Sequence, residues 1–95
     1  MISLEKAQKI AEREVKQILE RRADLRKYDF EIVHFLREND WYLVFSAPSK
    51  QLQDEGYIPG AIMVSVDKFD GHIWTERDWE SFAARLKSEK VLQTV

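Results

Sequence analysis

The sequence predicts an α+β domain of order α-β-β-β-β-α, with a single antiparallel four-stranded sheet and helices packed on one face. Three observations lead there. Apolar residues recur at helical spacing over roughly the first 20 positions. Two later stretches, 28–36 and 41–47, read as strands, the first by alternation and the second by its aromatic and β-branched content. Further on, two runs of β-formers flank Asp67-Lys68-Phe69-Asp70-Gly71, where Gly71 takes a positive φ at little cost. That last pattern is a hairpin signature.

The elements follow in order. Ser3 is suited to N-cap a first helix, with Glu5 complementing the dipole in its first turn. Leu4, Ala7, Ile10, Ala11, Val15, Ile18 and Leu19 share one face, Glu12 and Lys16 form an i,i+4 pair, and Arg21-Arg22 suit a C-terminus. The helix is expected over 4–22, with an extension to Leu25 allowed. Tyr28, Phe30, Ile32, His34 and Leu36 then occupy one face of a strand, with Asp29, Glu31, Val33 and Phe35 on the other. Arg37-Glu38-Asn39-Asp40 supplies a turn. In the second strand Trp41, Leu43, Phe45 and Ala47 share a face, and Pro48 is expected to end it.

A third strand near 60–67 and a fourth near 71–75 complete the hairpin. Their short connection makes antiparallel pairing close to compulsory. Thr75 and Asp78 have capping-box spacing, and Trp79, Phe82, Ala83 and Leu86 repeat at helical intervals, so a last helix is expected over 77–89. Residues 48–59 form a long polar connection with room for a helical turn around Leu52, and 91–95 form a tail.

Composition bounds the function. Ninety-five residues, 44% hydrophobic and 12% aromatic, make one domain spanning 1–95 with one modest core. Charged residues are 34% of the chain, yet the net charge is only −2, which disfavours a nucleic-acid partner. Residues 1–27 hold eight Lys/Arg against five Asp/Glu, and the remainder is acidic. There is no cysteine, so neither disulfides nor thiolate metal sites arise. Charges at Glu5 and Lys6 interrupt any signal-peptide pattern, and no apolar run approaches the roughly 20 residues of a membrane span. The expectation is a soluble cytoplasmic protein without membrane attachment.

No motif supplies chemistry. His34 and His72 have carboxylates and hydroxyls elsewhere in the chain, but no spacing singles out a triad or a metal site, and an ordinary sheet histidine is the plainer reading of each. Asp67 to Gly71 has a superficial likeness to a calcium loop but lacks the alternating oxygen ligands and the distal Glu. Glu76, Asp78 and Glu80 are explained by a helix N-terminus, and Arg21, Arg22, Arg26 and Lys27 by a helix C-terminus. No enzyme activity, metal or cofactor is therefore expected.

The aromatics are less easily absorbed. With the expected helices covering one sheet face, Trp41, Tyr42, Tyr57, Trp74 and Trp79 exceed what that core needs. Trp79 and Phe45 suit the core, whereas Tyr42, Tyr57 and Trp74 divide evenly between core and interface.

The N-terminal amphipathic helix, the strand Trp41-Tyr42-Leu43-Val44-Phe45, the polar loop ending near Pro59-Gly60 and the hairpin Val66-Asp67-Lys68-Phe69-Asp70-Gly71-His72-Ile73 resemble, in order, the bacterial immunity protein 35 family. The hairpin is also similar to that of PepSY-like domains. The resemblance implies a non-enzymatic protein that binds and neutralises a cognate toxin, and it transfers no binding residue. The candidate partner-binding residues come from the physical reading: Asp54, Glu55 and Tyr57 on the loop, with Tyr42 and Trp74 on the sheet. The expected mechanism is occlusion of the toxin, acidic side chains meeting a basic surface. A PepSY-like regulatory or peptidase-inhibiting module, or a homodimer paired through an exposed edge strand, is the alternative.

Overall fold

A computed structural model describes residues 1–84 of the chain. The first helix, α1, spans Leu4–Arg21. Ser3 caps it, its hydroxyl accepting from the Lys6 backbone N–H at 3.1 Å. Ala7, Ala11 and Val15 are its buried residues, spaced i, i+4, i+8, and the two alanines let the helix axis lie close to the sheet. Leu4, expected on this stripe, is exposed. At the other end Arg26 donates to the carbonyls of Leu19 and Glu20 at 2.9 and 2.8 Å. Those are carbonyls that a helix end otherwise leaves to water. A short 3-10 turn, Ala23–Leu25, follows.

The sheet has three strands: β1 (His34–Glu38), β2 (Tyr42–Pro48) and β3 (Ala61–Asp67), in the order β1-β2-β3 and antiparallel throughout. The expected four-stranded sheet is thus corrected to three strands. What was read as a fourth strand is a single bridge between Val66 and Ile73. Asp67 N–H donates to the His72 carbonyl at 2.8 Å and Trp74 N–H to the Ser65 carbonyl at 2.9 Å. The pairing stops there because Thr75 already starts the next helix: its carbonyl accepts from Trp79 N–H at 3.1 Å. Three residues between a turn and an N-cap are too few for a ladder.

The first strand also differs from expectation. It begins at His34 rather than 28, and of the two faces it is the one with Val33 and Phe35 that turns toward the core. Val33 packs against the core, and Phe35 meets Phe45 edge-on with centroids 5.8 Å apart, while Ile32 is 87% exposed. Alternation specifies two faces but not which is buried when both carry large apolar residues. Residues 28–31 are held elsewhere: Asp29 N–H donates to Gln51 Oε1 at 2.6 Å and Glu31 N–H to the Pro48 carbonyl at 2.8 Å. A register shift between Phe35 and Arg37 leaves Leu36 as an extra residue. Pro48, expected to end β2, is its last residue.

The core lies between α1 and one sheet face. Leu43, Phe45 and Ala47 of β2 pair with Val66, Val64 and Ile62 of β3, and all six are buried with Ala7, Ala11 and Val15. The opposite face is also covered, which corrects the expectation of helices on one face only. A last helix, α3, is described over 76–84. Tyr42 alternates with Leu43 and so points away from α1, and its ring lies 4.9 Å from Trp79 and 6.1 Å from Phe82. The expected continuation of this helix to 89, with Leu86, and the tail at 91–95 lie outside the described residues.

Candidate functional site

The expected partner-binding residues fall into two groups at opposite ends of β2 and β3. Tyr42 pairs with Asp67 at one end, and Pro48 pairs with Ala61 at the other. Six residues of strand separate them, about 20 Å. Tyr42 and Trp74 are brought together, with ring centroids 4.6 Å apart, but both are far from Asp54, Glu55 and Tyr57.

At the loop end, residues 49–60 are more ordered than their polarity suggests. Ser49 caps a short helix, α2 (Lys50–Asp54), and the Leu52 side chain beneath it is buried. Tyr57 N–H donates to the Leu52 carbonyl and Ser49 N–H to the Gly60 carbonyl, closing the loop on itself. The Tyr28 hydroxyl donates to Glu55 Oε2 at 2.5 Å, and that bond to a carboxylate pushes the Tyr28 hydroxyl up to about 12. Tyr28 therefore remains a donor across the neutral range. On this base Tyr57 and Ile58 are 59% and 95% exposed, beside exposed Asp54 and Glu55. A groove of about 400 Å³ runs between them and the start of the sheet, walled by Leu25, Tyr28, Leu52, Tyr57 and Ile58. The bidentate Arg22–Asp24 pair stands at its mouth. Ile58 was not singled out from sequence. An isoleucine directly before Pro59 in an otherwise polar loop was the available signal.

At the other end, Trp41, Tyr42, Trp74, Trp79 and Phe82 form one cluster. Most of its rings meet edge to face, the arrangement favoured by their quadrupoles. Tyr42 and Trp74 are half-buried within it. Trp79, read from sequence as core, keeps a partly exposed edge while sharing in this cluster.

Beside the cluster, His72 joins the hairpin turn to α3. Its Nδ1 lies 2.5 Å from Asp70 Oδ1, its Nε2 lies 3.3 Å from Asp78 Oδ1, and Asp67 Oδ2 is 3.9 Å from Nδ1. Partial burial opposes charging the ring, but the hydrogen bond and charge of Asp70, with Asp78 and Asp67, outweigh it and raise the His72 pKa. Asp70 is lowered by the His72 backbone N–H and then its ring, and Asp78 mainly by the Thr75 backbone N–H. The charged clasp stabilises the fold fully below the unfolded-chain pKa of about 6.5, and its contribution is lost as pH rises through the raised folded value. Its acid limit lies where the lowered carboxylates protonate, below about 4. The melting temperature is expected to fall in the wild type as pH rises above about 6.5, and to fall less in His72→Asn. Superimposable curves for the two proteins would refute the clasp.

Asp67, Asp70 and His72 also place one ligand atom each within 4.8 Å of one another. These groups are already engaged. Asp67 Oδ1 accepts from the N–H groups of Phe69 and Asp70, and its Oδ2 accepts from the Trp74 indole at 3.1 Å. A metal ion bridging all three would have to displace the bonds that form the turn. His34 lies on exposed β1 opposite Ser46, and no carboxylate hydrogen-bonds to it among the described residues. Among the described residues, no helix is long and apolar enough to cross a membrane.

These features define an α+β domain with a preorganised apolar-acidic loop at one end and an aromatic cluster at the other. No family model matches the chain, and no curated protein and no solved structure does either.

Proposed function

We propose that this chain is a non-catalytic protein-binding domain of the immunity type, acting in the bacterial cytoplasm to neutralise a cognate toxin by occluding it. The observation that carries this reading is the loop end of the sheet. Ile58 and Tyr57 stand exposed on a backbone held by Ser49, Leu52 and the Tyr28–Glu55 bond. Apolar anchors that are already ordered lose little entropy on docking, which favours affinity. Asp54 and Glu55 beside them suit a partner with a basic surface and would speed its approach. The resemblance of the strand, loop and hairpin to immunity proteins supports the same role.

A homodimer is the second reading, favoured by β1. Every residue of that strand is exposed, and β2 is its only neighbour among the described strands. The extra residue at Leu36 twists such an edge and works against flat pairing.

The test is affinity purification of tagged protein from its native cells, with wild type and a Tyr57→Ala/Ile58→Ala double variant in parallel. The expected result is one stoichiometric partner with toxin activity that the wild type inhibits and the double variant releases. Recovery of the same proteins by both forms would sink the loop as the docking site. Recovery of only a second, untagged copy would replace the immunity reading with the dimer.

A further inference from the structure

A pocket of about 260 Å³ opens at the end of the sheet away from the loop, lined by Trp41, Asp67, Phe69, Trp74, Asp78, Ser81 and Phe82. It is smaller than pockets that enclose drug-sized molecules, at roughly 300–1,000 Å³, and suits a single long side chain. Its walls are aromatic: Trp41 and Phe82 lie 4.8 Å apart by centroid, and Trp74 and Phe82 lie 5.6 Å apart. Its charged groups among the described residues are of one sign. The Asp67 and Asp78 side chains are only 16% and 31% exposed, and among the described residues no lysine or arginine lines the pocket. Lys68, next to Asp67 in sequence, is turned away to Glu38 at 3.0 Å and the Asn39 carbonyl at 3.1 Å, and Arg77, next to Asp78, is outside the lining. His72 meets Asp78 at 3.3 Å and Asp67 at 3.9 Å from outside this lining.

We infer that this pocket receives an arginine side chain of a partner protein, the guanidinium stacking on Trp41 or Trp74 and facing the Asp67 and Asp78 carboxylates. Two independent features select that chemistry. Ring faces attract cations through their quadrupole, tryptophan most strongly, and a planar guanidinium stacks where an ammonium cannot. Partly buried carboxylates in a small cleft attract a cation more strongly than exposed ones do, because solvent screens them less. Both carboxylates are held in place by the fold: Asp67 by the turn N–H groups and the Trp74 indole, Asp78 by Thr75 N–H at 2.7 Å. The site is therefore formed before anything binds. It lies a sheet length from Tyr57 and Ile58, so it stands whether or not that loop docks a toxin.

The test uses the full chain and a blocked Gly-Arg-Gly peptide, followed by the indole N–H signals of Trp41, Trp74 and Trp79 in two-dimensional NMR at low salt. Saturable shifts centred on Trp41 and Trp74 are expected. Affinity should fall at least about tenfold when citrulline, which keeps the shape but not the charge, replaces arginine. It should also fall at least about fivefold in Phe69→Ala, whose ring is 60% exposed and can be removed without opening the core. Asp78→Asn should lose binding too, and because Asp78 also caps α3, the Phe69 variant keeps the result independent of folding. Equal binding of the citrulline peptide, or shifts centred away from Trp41 and Trp74, would overturn the proposal. A lysine peptide of equal affinity would remove the arginine assignment. Tetramethylammonium binding more tightly than the peptide would give the pocket to a small free cation instead.

Discussion

Replacing Phe45 by alanine is expected to remove most of the stability of this domain. Phe45 is fully buried at the centre of β2, the middle strand, and contacts cannot be rebuilt from one side because α1 covers it and β1 and β3 flank it. Phe→Ala at such a site costs about 3–5 kcal/mol, from lost transfer free energy plus the cavity left behind. The total stability of small domains is roughly 5–15 kcal/mol. For a chain of this size that corresponds to a drop of at least about 12 °C in the melting temperature. Leu36→Ala, on the exposed β1 edge, should change stability by under about 0.5 kcal/mol. A thermal melt followed by far-ultraviolet circular dichroism compares the two directly. If Phe45→Ala melts within a few degrees of wild type, the core assigned to β2 is wrong.

The second large effect is expected at Gly60, where the loop rejoins β3. Its φ is +66°, and an added β-carbon would lie 2.4 Å from Gln53 Cγ, 3.1 Å from the Tyr57 carbonyl oxygen and 3.2 Å from Gln53 Cα. Rotation of Gln53 relieves the first contact, but the other two are backbone and require α2 and the turn at Tyr57 to move. Gly60→Ala is therefore expected to cost about 2 kcal/mol or more, from the left-handed backbone and the crowding together. Gly56→Ala is the internal control. It shares a positive φ, at +90°, but nothing lies within 4 Å of its added β-carbon, so only the backbone cost of about 1 kcal/mol applies. Urea denaturation of both variants separates the two contributions. Equal losses would mean that α2 yields freely, and the preordered loop proposed to bind a partner would lose its basis.

Much of this architecture was legible residue by residue. The helix stripe of Ala7, Ala11 and Val15, the Ser3 cap, the second strand, expected over 41–47 and found at Tyr42–Pro48, and the turn at Asp67–Gly71 all depend on spacing within a few residues, which local sequence carries. A helical turn around Leu52 was expected too, and the structure adds Ser49 as its cap. The faces of β1 were not. Both of its faces bear apolar side chains, and the choice depends on Phe45, ten residues away, and on where Gln51 holds Asp29.

The candidate sites divide in the same way. Asp54, Glu55 and Tyr57 could be chosen from a long polar loop, but the exposure of Ile58 could not, since it depends on Leu52 taking the buried position beneath it. Tyr42 and Trp74 were left divided between core and interface because both helices were assigned to one sheet face.

By itself the sequence determined the kind and approximate position of α1, β2, β3 and the start of α3, the absence of thiol chemistry and the turn at Asp67–Gly71. Those follow from periodicity, capping and backbone preference, each settled by neighbours along the chain. Only the tertiary structure decided that the would-be fourth strand is one bridge, that α3 crosses to the second face, and that Trp41, Trp74 and Phe82 close around Asp67 and Asp78. Residues up to about 40 positions apart meet there, and which of them meet is set by burying the remaining apolar surface, a term that no local pattern records.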